Sequence, residues 1–88
     1  MLMGGDSMSM IFFTFRAPAK ARQGSMILRK AGISARLAKT PASLAKNGCG
    51  YGLFVPEAQS VAASMQLKAM GAGYERSYRM DTQEEVWL

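Results

Sequence analysis

Histidine is absent from this 88-residue chain, and cysteine occurs once, at position 49. The first absence removes serine triads, cysteine–histidine pairs and the usual zinc motifs together, since each needs an imidazole as base or ligand. The second excludes a disulfide within the chain, and a lone thiol suits a reducing, cytoplasmic setting better than a secreted one. Acids are scarce and uneven. Between Arg16 and Lys46 there are eight Lys or Arg and no Asp or Glu, whereas residues 56–88 carry five acids against three bases. One basic face is therefore expected, open to an acidic protein partner, a small anion or nucleic acid, and charge alone does not choose among them. No stretch approaches the ~18 apolar residues of a spanning helix, so no membrane partner is expected. The apolar run Met10–Phe15 has neither basic residues before it nor a small-residue cleavage pattern after it, so no signal peptide is expected either.

What is present points to one small globular domain. Apolar residues make up 49% of the chain and charged residues 19%, unlike a disordered or membrane-embedded sequence. Residues 1–8 show no period and are expected to be a disordered N-terminal segment, leaving 9–80 as the domain and 81–88 as a polar tail with an apolar tip, Val86-Trp87-Leu88. The run Met10-Ile11-Phe12-Phe13-Thr14-Phe15 has the length and composition of a covered central strand. Pro18 suits a first helical position, and Ala21, Gly24, Ile27, Leu28 and Ala31 gather on one side before Gly32 ends the helix. Ile33–Lys39 alternates as a strand with one wet face, closed by Thr40-Pro41. Residues 42–50 read as a single helical turn followed by a tight turn at Asn47-Gly48. Tyr51–Val55 is a short third strand. Pro56 is expected to open a second helix with Ala58, Val61, Ala62, Met65 and Ala69 as its inward stripe, ended by Gly71, and Tyr74–Met80 a charged edge strand.

Each half thus reads strand, proline, helix, glycine, strand. A duplicated β-α-β unit of this kind predicts an α+β, ferredoxin-like β-α-β-β-α-β domain. It has a four-stranded antiparallel sheet in the order 4-1-3-2 and both helices on one face.

Few residues here are equipped for chemistry. The pattern Gly48-x-Gly50-x-Gly52 lacks the Lys-Ser or Lys-Thr of a phosphate loop and precedes a strand, so it fails as a nucleotide signature. The acids suggest no paired-carboxylate site, and neither metal nor dissociable cofactor is expected. Cys49 remains. In the proposed topology the third strand starts where the first strand ends and the first helix begins, which would bring Cys49 near Arg16 and the helix N-terminus, with Lys20 and Lys46 close by. Positive charge and free N–H groups favour thiolate over thiol, and the flanking Gly48 and Gly50 leave the sulfur open. Against this stands the bland role of cysteine as a small buried apolar filler.

The order of segments from Ile11 to Met80 resembles the small bacterial family of selenium/sulfur carrier protein-like domains, formerly a domain of unknown function. The resemblance is carried by Ile11-Phe12-Phe13-Thr14-Phe15, by Leu28-Arg29-Lys30-Ala31-Gly32-Ile33, and by Thr40-Pro41 shortly before Cys49-Gly50. Phe54-Val55-Pro56-Glu57 and Tyr74-Glu75-Arg76-Ser77-Tyr78-Arg79-Met80 continue it. Where this family often has a polar residue such as histidine after the first strand and a hydroxyl residue capping the helix, Arg16 and Ala17 stand here. The resemblance implies that Cys49 holds a persulfide or perselenide for delivery between donor and acceptor proteins, without turnover by the domain itself. The alternative is a non-catalytic RNA- or ligand-binding or dimerisation module of the same fold. Nucleic acid is the less expected partner, because RNA recognition wants aromatics on the exposed sheet face, for which Tyr51, Tyr74 and Tyr78 are the candidates. A homodimer is compatible with either reading.

Overall fold

The computed structural model describes residues 9–44 and 50–88. Residues 1–8 lie outside the described residues, as do 45–49, where the expected Asn47-Gly48 turn falls. The elements run β1 (Met10–Phe15), α1 (Pro18–Lys30), β2 (Arg36–Lys39), β3 (Tyr51–Pro56), α2 (Ser60–Ala69), β4 (Arg76–Arg79) and β5 (Glu84–Glu85). They form an α+β fold with one antiparallel sheet in the order β2-β3-β1-β4-β5. The first four strands keep the expected 4-1-3-2 order, in line with the ferredoxin-like reading, and the fifth lies outside β4.

Strand alternation divides the sheet into two faces. Ile11, Phe13 and Phe15 of β1, with Leu53 and Val55 of β3, point to the helices and join Ala21 and Leu28 of α1 and Ala63 and Leu67 of α2 in one core. Both helices therefore cover the same face. Pro18 occupies the first turn of α1 as expected, and Gly32 and Gly71 follow the two helices with φ of 79°, the left-handed conformation that glycine adopts without a Cβ penalty. The opposite face carries a row across the strands, Arg36, Phe54, Phe12, Tyr78 and Glu85, set by direct register.

The start of α2 and the side it buries differ from expectation. Pro56 does not open α2: it ends β3, paired with Met10, and its ψ of 139° is extended. A single 3-10 turn, Glu57–Gln59, follows before α2 begins at Ser60. That turn rotates the helix so that the buried stripe is Ser60, Ala63, Ser64 and Leu67, while Ala58, Val61, Ala62, Met65 and Ala69 are exposed. Burying serines is permitted because their hydroxyls find partners: Ser60 Oγ donates to the Glu57 carbonyl at 2.7 Å, and Ser64 Oγ lies 2.7 Å from the Tyr74 hydroxyl.

The last segment is not a tail. After a turn in which Gln83 takes φ 58°, Glu84–Glu85 pair with Tyr78 and Arg79, so β4 is not the sheet edge. Ser77 Oγ donates to the Val86 carbonyl at 2.7 Å, Arg76 pairs with Glu85 at 3.1 Å, and Val86 and Leu88 pack against the core. The second strand is also shorter than expected: Ile33 and Ala35 are buried but precede the paired residues.

Tyr74 ties the end of the chain to the helix layer. Its ring meets Phe13 with centroids 4.6 Å apart, and its hydroxyl lies within reach of both Ser64 and the Leu88 carbonyl, the latter at 3.3 Å. Tyr74→Phe keeps the ring and removes the hydroxyl, so urea unfolding is expected to show a loss of about 1 kcal/mol. A change below ~0.3 kcal/mol would mean that these bonds add nothing over water.

Candidate functional site

The sheet register fixes the position of Gly50, the chain neighbour of Cys49. Phe15, the last residue of β1, pairs with Tyr51, the first of β3, so Gly50 lies where β1 gives way to α1. This is the edge expected from the topology. Gly50 is held there from the other side: its carbonyl accepts the Thr40 N–H at 2.8 Å, extending the β2–β3 ladder by one bond. A Cβ on Gly50 would lie 3.3 Å from Thr40 Oγ1, tight but short of a clash with backbone. Thr40 therefore closes the connection that carries Cys49, a role hidden in a sequence where Thr40-Pro41 reads only as a strand end. Cys49, Lys46 and Gly48 themselves lie outside the described residues.

Across the corner is the N-terminus of α1. Ala17 caps it with extended backbone and offers no side-chain acceptor, Pro18 has no N–H, and the first turn holds no acid. Lys20 and Ala21 donate to the Ala17 carbonyl at 3.0 and 3.2 Å, which leaves Ala19 as the first-turn donor without a backbone acceptor among the described residues. Lys20 adds an exposed cation in the same turn. The helix end is thus positive by its dipole and by its side chains, with nothing of its own to neutralise it.

Arg16 has a partner that the sequence did not suggest. Its Nε donates to Glu75 Oε2 at 3.1 Å, and Glu75 is anchored beside β1 by its N–H to the Thr14 carbonyl at 2.7 Å. Glu75 lies on the β4 side of β1, whereas Gly50 lies on the β3 side, so the guanidinium is turned away from the Gly50 corner. The Arg16 side chain is 85% exposed. A pair this open contributes at most about 1 kcal/mol and does not lock the side chain.

The tyrosines proposed for the exposed sheet face are redistributed as well. Tyr74 lies under the helices against Phe13, and Tyr51 shares the helix-side row of Phe15, which leaves Tyr78 on the open face. Two aromatics not anticipated there join it: Phe12 and Phe54, with centroids 4.6 Å apart and Arg36 over the Phe54 ring at 5.2 Å. Phe12 is 0% exposed, so the centre of this row presents no free ring for a base to stack on. Among the described residues no cluster of metal-ligating side chains occurs, and no helix is long and apolar enough to cross a membrane.

Comparison with known proteins adds one match. Residues 10–79 fit the family model described as "Putative Se/S carrier protein-like", which spans the fold from β1 to the end of β4. No curated protein and no solved structure gives a significant match. Since the match covers most of the chain in the order of its strands and helices, the protein belongs to the selenium/sulfur carrier protein-like family.

Proposed function

We propose that the protein carries sulfur or selenium on Cys49 between a donor and an acceptor protein. The observation that supports this reading is the position of Gly50, the chain neighbour of Cys49, at the corner opposite the acid-free N-terminus of α1. A helix N-terminus with Lys20 in its first turn favours an anion, and a persulfide or perselenide is an anion at neutral pH. Family membership points the same way through the name of the family.

The step itself is a balanced exchange. The Cys49 thiolate attacks the outer sulfur of a donor persulfide, a new S–S bond forms as the donor's S–S bond breaks, and the electron pair leaves on the donor thiolate. Delivery repeats the exchange with an acceptor thiolate as nucleophile. No external oxidant or reductant is consumed, and the domain needs no general base if its thiol is already ionised. Lys20 and Lys46 act as fixed positive charge, Arg16 as a cation that must leave Glu75 to assist, and Gly48 and Gly50 as unencumbered neighbours of the sulfur.

The test is the rate of Cys49 alkylation by iodoacetamide as a function of pH in the folded protein. The expected midpoint lies well below the ~8.5 of a free cysteine. Lys20→Gln should move it upward by a few tenths of a unit, the size of one screened charge near a helix end. A midpoint at or above the free value, or a thiol that reacts only on unfolding, would leave Cys49 as a core filler and overturn the carrier reading.

A further inference from the structure

The correction at α2 leaves an apolar surface facing outward. Because the 3-10 turn rotates the helix, Val61 and Met65 are 60% and 66% exposed, and Ala62 and Ala69 lie on the same outer side. Separately, a trough of about 620 Å³ lies between the two helices, floored by Met26, Ile27, Ala31 and Met70. Met26 and Met70 are 57% and 59% exposed. Single exposed apolar residues such as Val61 and Met65 are ordinary on a protein surface, but apolar residues gathered along one trough mark an interaction site.

Charge narrows the occupant. Neither α1 nor α2 contains an acid, and Arg22 and Lys30 stand on the walls of the trough. The three ion pairs among the described residues involve Arg16, Arg76 and Arg79, so no carboxylate of the described residues neutralises the trough. We propose that this trough is a docking site for an amphipathic helix of a partner protein, with an apolar stripe flanked by Asp or Glu. A concave groove between two helices suits a third helix better than a flat lipid surface does, and methionines adapt to varied apolar side chains. Self-association through the same face would bring Arg22 and Lys30 of two copies together, which like-charge repulsion opposes. The inference stands on the helix layer alone and is independent of the chemistry of Cys49.

The test uses the full chain with methyl-labelled methionines and two synthetic helical peptides that share one leucine stripe, flanked by Glu in one and by Lys in the other. The Glu peptide is expected to bind, to shift the Met26 and Met70 resonances most, and to weaken at least severalfold between low and high salt. Met26→Glu with Met70→Glu should lower its affinity tenfold or more. Arg22→Glu with Lys30→Glu, which alters only exposed charge, should reverse the preference towards the Lys peptide. Equal binding of both peptides, no binding of the Glu peptide at millimolar concentration, or shifts confined to other methionines would overturn the proposal. So would co-sedimentation with phosphatidylglycerol vesicles in place of peptide binding, or a dimer in sedimentation equilibrium that the Met26/Met70 variant abolishes.

Discussion

Gly52→Ala is expected to destabilise the fold by about 3 kcal/mol, more than overpacking usually costs, because backbone as well as side chain is in the way. A Cβ at Gly52 would overlap the Phe13 carbonyl oxygen and lie 2.6 Å from Phe12 Cζ. The Phe12 ring lies down over this glycine and beside Phe54, and it is 0% exposed. Relief would require β1 and β3 to separate at the centre of the sheet. A domain of 88 residues has a total stability on the order of 5–10 kcal/mol, so the variant should lose a large share of it and melt at a much lower temperature. Adding Phe12→Leu should recover only part, since the Phe13 carbonyl remains. A Gly52→Ala protein within ~0.5 kcal/mol of the parent would mean that the Phe12 ring does not rest on β3.

The second large effect concerns chemistry. Cys49→Ser is expected to reduce the sulfur retained from a labelled persulfide donor to background, a loss of two orders of magnitude or more. A hydroxyl stays protonated at neutral pH and forms no stable bond to sulfane sulfur, and the chain has no other thiol to replace it. Circular dichroism should confirm that the variant remains folded. Retention of label by folded Cys49→Ser protein would assign the sulfur to another group and remove Cys49 from the mechanism.

Much of this architecture was legible in the sequence, and the reasons are local. Met10–Phe15 is a strand-length apolar run, Pro18 and Gly32 bracket α1, and Gly71 ends α2, each by its own backbone preference. The 4-1-3-2 order followed from the repeat of strand, helix and strand. The orientation of α2 did not, because Ser60-Val61-Ala62-Ala63-Ser64-Met65 is nearly as apolar on one side as on the other. Which side is buried depended on a 3-10 turn after Pro56 and on partners for Ser60 and Ser64 that only tertiary structure supplies. The strand at Glu84–Glu85 was hidden for a similar reason: two acids have low strand propensity, and their pairing rests on Arg76, Ser77 and the burial of Val86 and Leu88.

The candidate site divides in the same way. That β3 begins beside the end of β1 was legible from topology, and so was an α1 N-terminus without acids. That Arg16 turns to Glu75 was not, because the pair spans 59 residues and joins two loops on the β4 side. What the described residues do show is an α1 N-terminus with no acid in its first turn, and an Arg16 paired with Glu75. Glu57 similarly holds Arg79, at 2.9 Å, so none of the three ion pairs among the described residues draws on a cation of α1 or α2.

The carrier account is tested most directly by the intact mass of the folded protein. The protein is incubated with cysteine and a cysteine desulfurase, and then with an acceptor thiol. The account predicts a gain of one sulfur atom, mapped to the peptide containing Cys49 and lost again on adding the acceptor. A protein whose mass is unchanged by the donor, or whose added sulfur the acceptor cannot remove, would contradict it.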